Sequence, residues 1–289
     1  MISRPGAAIP CGSRCFRTHH ERDIQAVLSG DPLIPGRARS EMGSGLGLVL
    51  SGGFLRNAFQ VGVIEELGAR GFRFDVVVGV SSGAWNAACV ATDQVNEMRS
   101  FWMRVAEARK LRLANLWRYG TPSNFQEIVT RVPARSLRFD RLEASPVRLL
   151  IGATRVRHRR LHLFEHWRSR REFLATLMAS NYVPGLYGRP VRIDGRYYAD
   201  GGFADNVPYE AAFEAGCRHA VVVLTDPRGR FRKRLCDRTV HRIPPAFRDR
   251  ITLVHPGVPL PVGRLRATAE GMRACFEIGR KAVGEAFAR

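Results

Sequence analysis

The chain has 289 residues, 45% of them apolar, and a formal net charge of +20. That is enough chain for one large domain, or a domain plus a tail, with a real core. No apolar run reaches the roughly 18–20 residues of a membrane span, and the opening MISRPGAAIPCGSRCFRTHHERD lacks the apolar stretch of a secretory signal.

Residues 1–44 are rich in Pro, Gly, Arg and Ser and show no periodicity, so a disordered Arg-rich leader is expected there, with order beginning at Leu46. LGLVL (46–50) reads as a short buried strand, broken by Ser51-Gly52-Gly53. From Asn57 to Arg70 the residues Ala58, Val61, Ile64 and Leu67 share one helical face, and Gly71 is a suitable stop. FDVVVGV (74–80) reads as a second strand, followed at once by a small-residue helix through Ala91. Residues 97–131, with Trp102, Trp117 and Phe125, read as helices of a lid-like insert.

PVRLLIGATRVRHRRLHLF (146–164) reads as two strands and EFLATLMAS (172–180) as a helix. RPVRIDGRYYADGG (189–202) reads as a hairpin turning at Asp194-Gly195. A helix over Pro208–Ala215, strands in HAVVVLTD (219–226) and RITLVHP (250–256), and a final helix from Ala267 complete the chain. Strands alternating with helices point to one α/β domain over 45–289, with a mostly parallel sheet between helical layers.

Gly79-Val80-Ser81-Ser82-Gly83 has the form G-x-S-x-G between a strand and a helix. A strand that turns straight into a helix crowds its backbone, and Gly79 and Gly83 let the two arms pass. The Ser81 hydroxyl then stands at a helix N-terminus, where developing negative charge is favoured. The plainer alternative is a strand-to-helix turn with a capping serine. A nucleophilic serine also needs an anion cradle and a base. Ser51-Gly52-Gly53-Phe54-Leu55-Arg56 is the candidate cradle, since it lacks the Gly-Lys-Ser/Thr of a P-loop and the third glycine of a dinucleotide loop. The base is either Asp200, in Ala199-Asp200-Gly201-Gly202, or an Asp226–His255 pair at the ends of two strands. The pattern does not separate them.

These blocks together resemble the patatin-like phospholipases of bacterial type, lipid acyl hydrolases with a Ser–Asp dyad. LGLVLSGGFLRNAFQVGVIEELGARG resembles the family's oxyanion loop and first helix, and FDVVVGVSSGAWNAA its nucleophile elbow. PVRLLIGATRVRHRRLHLF resembles its middle strands, and ASNYVPGLYGRPVRIDGRYYADGGFADNVPYEAAFEAG its Ser/Pro segment and D-G-G block. The likeness runs from about Leu46 to Asp226. It implies a patatin-like three-layer fold, Ser81 as nucleophile and Asp200 as base, with no histidine needed. It further implies an oxyanion loop of Gly52, Gly53 and the Phe54 N–H, with Arg56 on the family's basic position. Phe54 and Asn57 depart from the pattern, which has glycine at both places. For Phe54 a positive φ is costly.

The resemblance implies an acyl lipid substrate and no metal or cofactor, and the six cysteines show no paired ligand spacing. Scattered thiols suit a cytosolic protein, and the excess of positive charge suits a peripheral place at a membrane. Only Lys110, Lys233 and Lys281 are lysines, so the positive charge is almost all arginine. The runs RVRHRR (155–160), RSRR (168–171) and RGRFRKR (228–234) are solvated loops on the bland reading. On the functional one they dock on anionic lipid. No base-reading motif is visible, so nucleic acid is not the expected partner. Two rival readings remain: a non-catalytic lipid- or nucleic-acid-binding member with a decayed loop, and an acyltransferase.

Overall fold

The computed structural model describes residues 45–108, 111–125, 128, 137–187 and 190–288. The leader expected over 1–44, and parts of the 97–131 insert, lie outside the described residues. The elements run β1 (Leu46–Leu50), a 3-10 turn (Phe54–Asn57), α1 (Ala58–Ala69), β2 (Val76–Val80), α2 (Ser82–Ala91), α3 (Met98–Glu107), α4 (Ala114–Tyr119) and α5 (Phe139–Glu143). Then follow β3 (Arg148–Arg155), β4 (Arg160–Phe164), α6 (Arg170–Asn181), β5 (Val191–Ile193), β6 (Arg196–Asp200), α7 (Tyr209–Glu214), β7 (His219–Val223), β8 (Ile251–Val254) and α8 (Ala269–Phe287).

The strands form one mixed, mostly parallel sheet whose hydrogen-bonded neighbours follow the path β5-β6-β3-β2-β1-β7-β8; β2 and β6 lie along successive parts of one edge of β3, and β4 pairs with its other edge. Each central strand is apolar on both faces because both are covered. Leu48 and Leu50 of β1, Val77 of β2 and Val221 of β7 enter one core, shared with α1, α2, α3 and α8. Val49, Val76, Val78 and Val222 point the other way, into a second core under α7. The result is a three-layer α/β sandwich. The 194–195 turn has φ +45° at Asp194 and +77° at Gly195, the left-handed pair that a two-residue hairpin demands.

Helix α1 departs from the one-faced pattern its sequence suggested. Its buried residues include Phe59 and Val63 as well as Val61, Ile64 and Leu67, because α8 closes over that side, and Gln60 is buried against the Ser51 carbonyl and Asn86. Two glycines allow the approach. A Cβ on Gly62 would strike the Phe276 carbonyl, and one on Gly279 would strike the Phe59 carbonyl. Helix α3 of the insert is likewise packed in the main core, with Phe101, Trp102 and Val105 buried there.

Gly62→Val and Gly279→Val are expected to lower stability by about 1–3 kcal/mol each, the usual cost of overpacking a tight contact. Urea denaturation checks this, and wild-type midpoints in both variants would contradict the account of the crossing.

Candidate active site

Ser81 sits between β2 and α2 with φ +55° and ψ −132°, a backbone conformation that side chains other than glycine rarely adopt. The crowding around it is severe. A Cβ on Gly79 would lie 2.6 Å from the Ala84 Cα, and one on Gly83 would meet the Leu50 carbonyl. The strained turn is held from both sides. The Ser81 N–H donates to Ser180 Oγ at 2.9 Å, and Asn181 Nδ2 donates to the Ser81 carbonyl at 2.9 Å. The Ser81 side chain does not cap α2. Instead, its hydroxyl donates to Asp200 Oδ2 at 2.6 Å, and both residues are buried.

Sheet register brings these two residues together across 119 positions of chain. Strand β2 runs parallel to β3 and ends with Val80 opposite Gly152. Strand β6 runs antiparallel to β3 and ends with Asp200 opposite Ala153. Strand β4 occupies the other edge of β3 over 151–155, so β2 and β6 share one edge and meet end to end. Asp200 then turns into the 3-10 segment Gly201–Phe203, whose Gly202 N–H donates to Asp200 Oδ1 at 2.8 Å. Burial pushes the Asp200 carboxyl up to about 7, although the bonds from Ser81 and Gly202 pull the other way.

The glycine-rich loop passes beside Ser81, since a Cβ on Gly52 would lie 3.1 Å from the Ser81 Cβ. Its N–H groups are not equivalent. That of Gly52 donates to the Asn206 carbonyl at 3.3 Å. That of Gly53 reaches Ser82 Oγ only at 3.4 Å, and that of Phe54 has no partner among the described residues. Phe54 takes the left-handed φ of +56°, as its alignment with a glycine position implied. Asn57 does not, its φ being −71°. Its side chain braces the loop from beneath, donating to the Ser51 carbonyl and to Ser82 Oγ at 2.8 Å each. Gln60, Asn86 and Trp102 extend this into a buried chain of hydrogen bonds. Sequence reading missed these struts, along with Ser180, Asn181 and Asn206. Their partners lie far away in sequence or on the backbone, where no spacing signals them.

Two cavities meet at this point, and Phe54, Ser81 and Asp200 line both. One is apolar, walled by Trp85, Phe101, Trp102, Val105, Phe125 and Ile128. The other is polar and contains Arg56, Arg230, Arg232 and Arg264. Tyr187, against Asp200 in the apolar cavity, has its phenol pushed up by burial and by that carboxyl. Asp226 lines the polar cavity, but its Oδ1 accepts the N–H groups of Arg228 and Arg230. His255 packs against Gly229, and its buried Nδ1 has no partner among the described residues. The Asp226–His255 pair is therefore not assembled, and neither residue bonds Ser81. Arg56 joins the polar cavity, while Gly201 abuts the Gly152 carbonyl of β3.

A family model described as patatin-like phospholipase matches residues 48–213, more than half of the chain. The chain is 29% identical over 210 residues to the uncharacterized protein YjjU of Escherichia coli, covering 70% of this chain and 56% of that one. It is 25% identical over 214 residues to the lysophospholipase NTE1 of Mycosarcoma maydis, covering 72% of this chain and 10% of that one. It thus spans about half of the first relative and a tenth of the second. Among solved structures, VipD from Legionella pneumophila is similar with a TM-score of 0.49 at 14% identity, over 84% of this chain and 66% of that one.

The raised carboxyl has a consequence for stability. Asp200 titrates near 3.8 when unfolded and near 7 when folded, so its contribution is complete below pH 4 and lost as pH rises through 7. Asp200→Asn removes that loss. The variant is expected to gain roughly 2 kcal/mol on wild type between pH 5 and pH 8. Urea midpoints at the two pH values measure it, and an equal difference at both would contradict the burial of a raised carboxyl.

Proposed function

The chain belongs to the patatin-like phospholipase family, and from that premise we propose that it is a serine hydrolase cleaving carboxylic esters of acyl lipids through Ser81 and Asp200. The observation that carries the reading is the buried 2.6 Å hydrogen bond from Ser81 Oγ to Asp200 Oδ2. A carboxylate at its ordinary pKa is too weak a base for a serine hydroxyl, and burial raises its proton affinity toward neutrality. Ionised Asp200 takes the Ser81 proton as Oγ attacks the ester carbonyl. The same carboxyl then returns the proton to the leaving alcohol, and the cycle repeats with water to release the fatty acid.

The oxyanion is assigned to the N–H groups of Phe54 and Gly53, because that of Gly52 is committed to Asn206. Phe54 at a glycine position thus keeps its donor, and it pays in strain of order 1–3 kcal/mol for a left-handed φ. The apolar cavity suits the acyl chain. That both arms of the cavity open at Ser81 favours hydrolysis or transfer over simple lipid binding. Water is the assigned acceptor, and adding an alcohol or a lysolipid and looking for a new ester separates transfer from hydrolysis.

Contact with a membrane is assigned to the segment before the apolar cavity. Leu111, Leu113, Leu116 and Trp117 are exposed, Trp117 by 94%, on the insert that continues into Phe125 and Ile128 of the cavity wall. Such a patch on a basic protein suits an anionic bilayer surface. No helix among the described residues is long and apolar enough to cross a membrane. Trp117→Glu with Leu113→Ser is expected to weaken vesicle sedimentation about tenfold, and undiminished sedimentation would remove this surface from the account.

Fatty-acid release from mixed anionic vesicles tests the hydrolase. Ser81→Ala and Asp200→Asn should each abolish release, and His255→Ala should leave most of it. The wild-type rate should climb with pH through about 7, where Asp200 ionises. Release that survives Asp200→Asn and dies with His255→Ala would overturn the assignment.

A further inference from the structure

The polar arm of the cavity carries more positive charge than the chemistry at Ser81 uses. Arg56, Arg230, Arg232 and Arg264 line it, with Asp226 as the one acidic neighbour besides Asp200. Asp226 stands 3.6 Å from Arg230 Nε, which is buried without a hydrogen-bond partner among the described residues. Among the described residues the Arg232 guanidinium donates to the Asp237 carbonyl, at 2.7 Å, and to no carboxylate. Arg56 and Arg264 form no ion pair with a carboxylate among the described residues, and the charges that bear on Arg264 are those of Arg56 and Arg232. Guanidiniums gathered in a partly buried cleft repel one another, and an anion in the cleft relieves that cost. The guanidinium of Arg264 is held below its usual value by burial and by Arg56 and Arg232, the electrostatic mark of that crowding.

These arginines are positioned rather than loose. The 228–234 run, one reading of which was a solvated loop, is stitched to the segment that follows Asp200. The Asn206 N–H donates to the Lys233 carbonyl at 2.6 Å, and the Leu235 N–H to the Gly202 carbonyl at 2.6 Å. Lys233 itself is paired with Asp205 and Glu210 at 2.8 and 2.9 Å, which fixes the run further. On the other wall the Leu55 N–H donates to the Arg264 carbonyl at 3.1 Å, tying Arg264 to the glycine-rich loop. The other two arginine runs lie elsewhere: Arg168 pairs with Glu172 and Asp194 in solvent, and Arg155 and Arg160 line a different, shallow pocket. Arg230, Arg232 and Arg264 also fall outside residues 48–213, where the family model matches.

We propose that the polar arm is an anion subsite for the phosphate of the ester substrate, and that Arg230, Arg232 and Arg264 select anionic phospholipid headgroups over choline-type ones. The inference rests on the hydrolase reading for the placing of the ester at Ser81, but the subsite has its own readout. The phosphate accepts hydrogen bonds from the guanidiniums, and a quaternary ammonium appended to it would be driven into like charge. With the phosphate in the polar arm and the acyl chain in the apolar one, the ester carbonyl between them falls at Ser81 and Phe54, which line both.

Two experiments decide it. In the first, Ser81→Ala protein is titrated with sn-glycerol 3-phosphate, glycerophosphocholine and inorganic phosphate. Glycerol 3-phosphate should bind at least about tenfold more tightly than glycerophosphocholine, the scale of one hydrogen bond to a charged group, and adding Arg232→Gln with Arg264→Gln should erase the difference. Inorganic phosphate should compete. In the second, short-chain phosphatidate and phosphatidylcholine are compared at the same low mole fraction in neutral-detergent micelles at high salt, so that the difference in surface charge is diluted and screened. The ratio of their kcat/KM values should fall about tenfold or more in Arg264→Gln and be largely restored in Arg264→Lys. Equal binding of the two glycerol esters, or a ratio unmoved by the glutamine variants, overturns the subsite. If no ester is hydrolysed while glycerol 3-phosphate binding depends on the arginines, the hydrolase reading falls and the subsite stands.

Discussion

The edge of β3 is the constraint on which the site depends. Two strands approach each other along it from opposite directions and stop one residue apart, Val80 opposite Gly152 and Asp200 opposite Ala153. The peptide register of a buried sheet is rigid, so the Ser81 hydroxyl and the Asp200 carboxyl are delivered to hydrogen-bond distance without a flexible linker between them. Ser180 and Asn181 at the end of α6 then grip the Ser81 peptide, and Ser180 is itself anchored to the Gly152 carbonyl at 2.6 Å. Strand register and helix end thus converge on one residue, and bonds to the peptide groups on both sides of it hold Ser81 in its left-handed conformation.

Burial of that junction does two things at once. It raises the proton affinity of Asp200, which a carboxylate base needs, and it makes the ionised protein less stable than the protonated one. On the hydrolase reading, function and stability are therefore opposed at this residue near neutral pH. The same junction divides the cavity. Aromatic and aliphatic side chains of α2 and α3 lie on one side, and arginines from the loops after β7 and β8 on the other. A molecule with an apolar chain and an anionic head matches that division, with its reacting bond at the boundary.

Much of this was legible in the sequence, for identifiable reasons. The runs LGLVL, VVVGV and HAVVV can be little but buried strands, and strands alternating with helices imply the parallel sheet. The elbow and the D-G-G block were visible because each needs glycine at a fixed offset from a polar residue. The bracing of the loop was not visible. Asn57 read as a departure at a glycine position, yet it is the strut beneath Ser51 and Ser82. Gly52 looked like a free donor, but its N–H is taken by a carbonyl 154 residues away. Trp102 suited a lid, and its ring is buried with its N–H on Asn86. RGRFRKR carried only charge in the sequence; the backbone pairing of Lys233 to Asn206, and of the adjoining Leu235 to Gly202, is what turns it into a cavity wall. Such features depend on backbone groups, which every residue type shares, or on side-chain partners distant in sequence.

The central claim is that the buried Asp200 activates Ser81, and covalent labelling tests it most directly. The protein would be exposed to a long-chain fluorophosphonate across pH 5–9 and examined by intact mass and peptide mapping. The account requires one phosphonyl group per chain, on Ser81, at a rate that rises through about pH 7 in wild type and collapses in Asp200→Asn. Labelling on another residue, or on Ser81 at the same rate without the carboxylate, would contradict it.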